Sequence, residues 1–251
     1  MDTKHFYYDG IWEEIINHPR FDLGRRELEA LKRFMPTVAD YTKGNNILHL
    51  GAGIGREIPT IIKHLETKNY LVNDICAPCL KKITARARVV FSSVKFFGIP
   101  NDIEEKKEIF KLRQMLHGSA LIVLVANGVI FSKPGLESDI SRAMERDDLF
   151  LITLEMPNPD MANSYLIEPV LKLLSQSGLV VTAANVKTWY DINDQRFRMS
   201  CQGNALLSSY KPKPEQLQRR LKEAGMDTVV ICEYSEIHMV AGLFKKKRKA
   251  P

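Results

Sequence analysis

Cysteine is scarce in this sequence, at 4 in 251 residues, too few for a disulfide framework. Long apolar runs are missing as well. None approaches the ~20 residues that span a bilayer, and the longest, 120–126, suits a buried strand. The opening residues Met1-Asp2-Thr3-Lys4-His5 carry an acid and no apolar core, so they do not read as a signal peptide. There is no internal repeat, low-complexity stretch or long linker. At 45% hydrophobic residues the chain is too apolar for disorder and too diverse for collagen or a coiled coil. Together these features predict a cytoplasmic globular protein.

Charge of one sign is in excess only locally. The formal net charge is +6, and Lys245-Lys246-Lys247-Arg248-Lys249 supplies five of those charges. The remainder is near neutral, so the body is no basic platform for nucleic acid, and the run reads as a solvated tail. No membrane partner is expected, and nucleic acid is disfavoured as a partner. Oligomeric state is not legible.

What is present is a regular alternation of apolar runs and helical stripes. Helices are predicted over 26–41 (with Pro36 kinking or ending it), 56–65, 77–87, 103–116, 135–146, 161–177 and 214–224. Strands are predicted over 46–50, 70–75, 94–99, 120–126 and 148–155. Further strands at 179–186 and 196–201 pair around a polar turn, and 228–233 and 238–244 lie side by side. Strands alternating with helices and buried on both faces imply a Rossmann-like, mostly parallel seven-stranded sheet with an antiparallel edge. Two parts are read: an N-terminal helical lid over 1–43 and a ligand-binding domain over 44–251.

The first strand runs into Gly51-Ala52-Gly53-Ile54-Gly55, and a helix follows at once. Glycines there let a ligand lie against bare backbone, near the free N–H groups of the helix start. The dinucleotide fingerprint needs glycine at the sixth position, and Arg56 stands there, which weakens a nicotinamide reading. Asp74, ending the second strand and followed by Ile75, is either an acceptor for ribose hydroxyls or the cap of the next helix. Asp102, followed by Ile103, either accepts from an adenine amino group or caps its own helix.

Strand, G-x-G-x-G loop, helix, strand ending in Asp74 and later strand ending near Asp102 resemble the class I S-adenosylmethionine-dependent methyltransferases over about residues 44–155. The resemblance implies S-adenosylmethionine as cofactor, held by Gly51, Ala52, Gly53, Gly55, Asp74, Ile75, Asp102, Ile103 and Asn127. That family often carries an acid two residues before the first glycine, where this chain has His49.

A narrower resemblance starts upstream. Phe6-Tyr7-Tyr8-Asp9, Trp12-Glu13-Glu14-Ile15, His18-Pro19-Arg20-Phe21 and Arg25-Arg26-Glu27 are similar to the lid of the histidine N-alpha-methyltransferases of ergothioneine biosynthesis. Trp189-Tyr190-Asp191 with Arg196-Phe197-Arg198-Met199-Ser200 resembles the segment that lends those enzymes side chains for the substrate ring. The resemblance implies substrate contacts at Phe21, Arg25, Arg198 and Ser200. Glu155, ending its strand on the carboxyl edge of the sheet, is a further substrate candidate.

The departures carry information. Asp22 replaces a lid tyrosine, Ile130-Phe131 stands where the family has Gly-Asn, and Asn127-Gly128 lies about three residues early. Arg198 replaces the carboxylate that would face an imidazole, while Ser200 is kept. The expected activity is methyl transfer to a small amine or amino-acid-like acceptor other than histidine, with no catalytic base assigned. A degenerate binding protein of the same fold and an RNA methyltransferase using the lysine tail are the alternatives. Cys76-Ala77-Pro78-Cys79 has redox-motif spacing, but the thiols read by default as small buried hydrophobes. Without a second such pair, and with His18, His49, His64 and His238 at no ligand spacing, no metal is expected.

Overall fold

The computed structural model describes residues 11–105, 107–125, 131, 133–175 and 178–247. Its centre is a seven-stranded sheet in the order β3-β2-β1-β4-β5-β10-β9. The parallel strands are β1 (Asn46–Leu50), β2 (Asn69–Asp74), β3 (Lys95–Pro100), β4 (Ala120–Val125) and β5 (Leu149–Glu155). Strand β10 (Met239–Lys246) is inserted antiparallel between β5 and β9 (Met226–Tyr234). That order places the carboxyl ends of β1, β2 and β4 side by side, where ligands bind in open α/β sheets.

Both faces are covered, as the near-continuous burial of β1, β2, β4 and β5 requires. On one face α2 (Leu23–Thr42), α3 (Ile58–His64) and α4 (Ala77–Val90) pack Leu31, Phe34, Val38, Ile61 and Leu80 against Ile47, Tyr70, Val72 and Val123. On the other, α5 (Glu108–Gln114), α6 (Leu136–Ala143) and α9 (Pro214–Glu223) pack Leu112, Ile140 and Leu217 against Leu48, Ile122 and Phe150. A third core joins α1 (Ile11–Asn17), α7 (Met161–Tyr165) and α8 (Glu168–Ser175) to a separate antiparallel sheet. That sheet consists of β6 (Val186–Asp191), β7 (Arg196–Cys201) and β8 (Asn204–Tyr210). No described helix is long and apolar enough to cross a membrane.

Three local expectations are corrected, and at Pro36 the alternative of an early helix end is excluded. Helix α2 continues through Pro36, because the buried Phe34, Met35 and Val38 around it anchor both halves to the sheet. The helix predicted over 103–116 begins only at Glu108, since Asp102 turns the chain by accepting the Glu104 N–H and Lys107 takes a left-handed φ of 72°. The helix predicted over 161–177 breaks into α7 and α8, since Pro169 removes a donor and its ring clashes one turn back. The strand predicted over 179–186 starts only at Val186, because Asn185 closes a turn by accepting the Thr182 N–H. Strand β8 was not read from the sequence at all.

Candidate functional site

The G-x-G-x-G loop leaves β1 with Gly51, Gly53 and Gly55 all left-handed, at φ 61°, 56° and 67°. Only glycine takes these angles without strain. At Gly55 a side chain would also force its neighbours to shift, because a Cβ there would lie 2.8 Å from Ile58 Cδ1. The loop is fastened to β2 twice. Ala52 N–H donates to the Asn73 carbonyl at 3.1 Å, and Gly53 N–H donates to Asp74 Oδ2 at 2.7 Å.

Asp74 therefore holds the loop, and through Oδ1 it also accepts from Cys76 N–H at 2.9 Å, next to the start of α4. Burial raises its carboxyl above the ordinary value, while these N–H groups pull the other way. A carboxylate offers about four acceptor sites, so capacity for further donors remains. One residue earlier, Asn73 donates its amide to the carbonyls of Ile99 and Asn101, and its fully buried Oδ1 has no partner. Asp102, just beyond β3, accepts from Glu104 N–H through Oδ1, and Ile103 behind it is buried. Ile75 is half-buried between Asp74 and α4. Asn127 lies outside the described residues, as do Phe6, Tyr7 and Tyr8.

Cys76 and Cys79 are joined by a disulfide bond, which corrects their reading as separate thiols. Their position in the first turn of α4 sets the Cα atoms 5.3 Å apart, inside the range a disulfide spans.

Beneath the loop lies a group of which sequence reading marked only His49. His49, only 1% exposed on β1, places Nδ1 3.0 Å from the Tyr70 hydroxyl and Nε2 3.1 Å from Glu57 Oε1. The tyrosine has a proton to donate to Nδ1, so Nε2 carries the ring proton and donates to Glu57. Burial drives the His49 pKa down to about 3, so the ring is neutral. Burial, and then the charge of Asp74, pushes the Glu57 carboxyl up to about 7 against the pull of its own backbone N–H and of Arg56. Glu27 of α2 approaches the same place and accepts from Thr153 Oγ1 at 3.3 Å. Burial and the Glu57 charge hold its pKa well above the carboxylate range. The signal available in the sequence was adjacency alone: Glu57 follows the loop by two residues and Glu27 follows the lid arginines.

The acceptor candidates are arranged differently. Glu155, 2% exposed, is bonded by Arg26 through Oε1 and by Lys211 through Oε2. Burial alone would raise its pKa, but Lys211 and Arg26 outweigh that and hold it below the ordinary value. Arg26 also donates to Asp22 at 2.9 Å and to the Ile237 carbonyl at 3.1 Å, and Lys211 reaches the Tyr165 hydroxyl at 3.0 Å. This network ties α2, β5, α7 and the exit of β8 together. Phe21 packs edge-on against Tyr165, with ring centroids 5.8 Å apart. Arg25 is exposed and lines a half-open cleft of about 650 Å³ with Asp22, Asn158, Ser164 and His238.

Arg198 and Ser200 share the face of β7 opposite its buried Phe197, Met199 and Cys201. The Arg198 guanidinium is met by Asp194 and, at 3.9 Å, by Asp191 of the same hairpin. The fold thus brings together the glycine loop, Asp74 and the end of β3, and separately joins Phe21 to the Glu155 network. No described contact joins Arg198 or Ser200 to either group.

Comparison with known proteins bears on this arrangement. The model of a family described as histidine-specific, S-adenosylmethionine-dependent methyltransferases matches residues 2–162. No curated protein matches the sequence. Among solved structures, an S-adenosylmethionine-dependent methyltransferase from Clostridium acetobutylicum ATCC 824 is 12% identical. It has a TM-score of 0.56, and 94% of this chain and 100% of that one are covered. Magnesium protoporphyrin IX methyltransferase from Synechocystis PCC 6803, solved with bound S-adenosylhomocysteine, is 13% identical with a TM-score of 0.56, covering 98% and 100%. A glycopeptide N-methyltransferase, also complexed with S-adenosylhomocysteine, is 12% identical with a TM-score of 0.51, covering 88% and 89%. At these identities the likeness is one of fold.

Proposed function

The chain belongs to the histidine-specific, S-adenosylmethionine-dependent methyltransferase family, and we propose that it methylates a small amine or amino-acid-like acceptor other than histidine. When bound, S-adenosylmethionine supplies an electrophilic methyl group on a positively charged sulfur.

The residues present fit such a group. Left-handed glycines leave backbone without side chains along the loop. Asp74 retains acceptor capacity for the ribose hydroxyls, and the orphaned Asn73 Oδ1 is an acceptor awaiting a donor at the same strand end. Asp102 stands where β3 ends, with Ile103 buried behind it. Carboxylates outnumber cations beneath the loop, which suits a positively charged ligand.

The remaining work of the protein is to place the acceptor's lone pair in line with the methyl carbon and to exclude water. The N-terminal helices and the small sheet flank the carboxyl edge from which the acceptor would enter. Glu155 is not the base of this reaction, because both its oxygens are held by cations and its pKa lies low. It serves instead to fix Arg26 and Lys211. An amine acceptor that arrives neutral needs no base from the protein.

The observation that carries the acceptor reading is Arg198. By resemblance its position faces the substrate ring, and a guanidinium, which only donates, cannot accept the imidazole N–H that a carboxylate would hold. The test is a screen of amino acids and small amines for transfer of a labelled methyl group, with wild type and Arg198→Glu compared. Wild type is expected to prefer an acceptor other than histidine, and Arg198→Glu to lose that acceptor while still binding cofactor. Efficient methylation of histidine by wild type would overturn the reading.

A further inference from the structure

Resting on the placement of the cofactor at the glycine loop, we propose that Glu57, seated by His49 and assisted by Glu27, receives the cofactor's α-ammonium group and gives up a proton as it does so. The seat comes from the fold. Glu57 occupies the N-cap of α3 but makes no capping hydrogen bond with its side chain. Its carboxylate turns instead to His49 Nε2, at 3.1 Å. His49 is fixed from its other side by the Tyr70 hydroxyl, so the ring can aim Glu57 but, being neutral, cannot neutralise it.

The groups facing this pair are few. From β1 comes His49, from β2 come Tyr70 and Asp74, from the loop Arg56, and from β5 Thr153. Lys211 acts on Glu27 from further off, but its ammonium is bonded to Glu155 and Tyr165. Three carboxylates, Glu27, Glu57 and Asp74, are therefore set against Arg56 and a committed Lys211. Two nearby half-buried carboxylates cannot both ionise cheaply, so without ligand they keep a proton between them. An ammonium group entering the pocket replaces that proton. Cofactor affinity then rises with pH through the neutral range, where Glu57 titrates at about 7.

The experiment compares two ligands by titration calorimetry at pH 7, in buffers of different ionisation enthalpy. S-adenosylhomocysteine carries the ammonium group, and 5′-methylthioadenosine is the same thioether nucleoside without the amino-acid end. Wild type is expected to release a fraction of a proton with the first ligand and none with the second. Glu57→Gln should weaken S-adenosylhomocysteine by about tenfold or more, the worth of a hydrogen bond to a charged group. It should leave 5′-methylthioadenosine within about twofold, which also shows that the variant is folded, and abolish the proton release. Glu27→Gln should show the same pattern more weakly. Equal weakening of both ligands, no weakening of either, or no proton release by wild type would each overturn the proposal while sparing the cofactor site. Failure of wild type to bind either ligand would overturn the site placement together with it.

Discussion

Two carboxylate sites under the same sheet edge make opposite use of charge. At Glu155 two cations of the protein, Arg26 and Lys211, hold the carboxylate ionised and below its ordinary pKa. At Glu57 and Glu27 the nearest buried imidazole is neutral, and both carboxyls are pushed up. A buried charge needs a partner, and the difference lies in who provides it. The Glu155 site is complete within the chain and acts as a fastening between α2, β5, α7 and β8. The Glu57 site is completed by a proton or by a positive ligand.

The comparison breaks most visibly at the fastening. Lys211→Met leaves Glu155 with Arg26 alone, and Glu155→Gln leaves two cations with no buried carboxylate. Loss of one member of a buried pair typically costs about 3–5 kcal/mol, and both variants should lose stability on that scale in urea unfolding. The low folded pKa of Glu155 fixes the sign with pH. Its contribution is present above the unfolded value near 4.5 and is lost as pH falls through the lower folded value. Ligand-free stability should therefore fall in acid in wild type and show less of this fall in Glu155→Gln.

At the cofactor side the largest effect belongs to Asp74, which fastens the loop and is proposed to receive the ribose hydroxyls. Asp74→Ala should weaken S-adenosylhomocysteine by about 1.5–3 kcal/mol, read by calorimetry, while NAD fails to bind wild type. Unchanged affinity in a folded Asp74→Ala protein would leave Asp74 only as a loop and helix anchor.

The Glu57 site should respond to pH in the opposite sense. Its folded pKa of about 7 lies above the unfolded 4.5, so its stabilising protonated form is lost as pH rises between these values. Ligand-free Glu57→Gln should match or exceed wild-type stability at pH 8 by roughly 1–2 kcal/mol, measured by thermal unfolding across pH. A variant less stable than wild type at pH 8 would place Glu57 with Glu155 among the structural carboxylates.

The smallest effect is expected at the C-terminus. Lys247 N–H still donates to the Gly225 carbonyl, so a deletion should begin at residue 248. Cofactor binding should be unchanged, with only weak, salt-sensitive adsorption to polyanions reduced. Loss of methylation of a defined RNA would contradict a small-molecule acceptor.

The strands were legible where burial forces an unbroken apolar run, as in Ala120–Val125, and the glycine loop was legible because left-handed backbone demands glycine in that pattern. Asp74 was singled out by its spacing from the loop, and the structure gives it a second task in holding Gly53. The segment between β5 and α9 was misread in three places, where short elements carry weak periodicity and β8 pairs only within a small sheet. Lys211 is one lysine among many in the sequence, and nothing local separates it from a solvated one.

The sequence by itself determined the alternation of strands and helices, the loop that turns without side chains, and the family to which these point. Those properties are carried by neighbours along the chain, so local sterics and periodicity suffice. Only the tertiary structure decided which carboxylates are paired. Arg26, Glu155 and Lys211 lie more than 50 residues apart, and His49 meets Glu57 only because a glycine loop folds α3 back onto β1. Whether a buried charge finds its partner depends on distance through space, and for groups this far apart in sequence the packed sheet alone sets that distance.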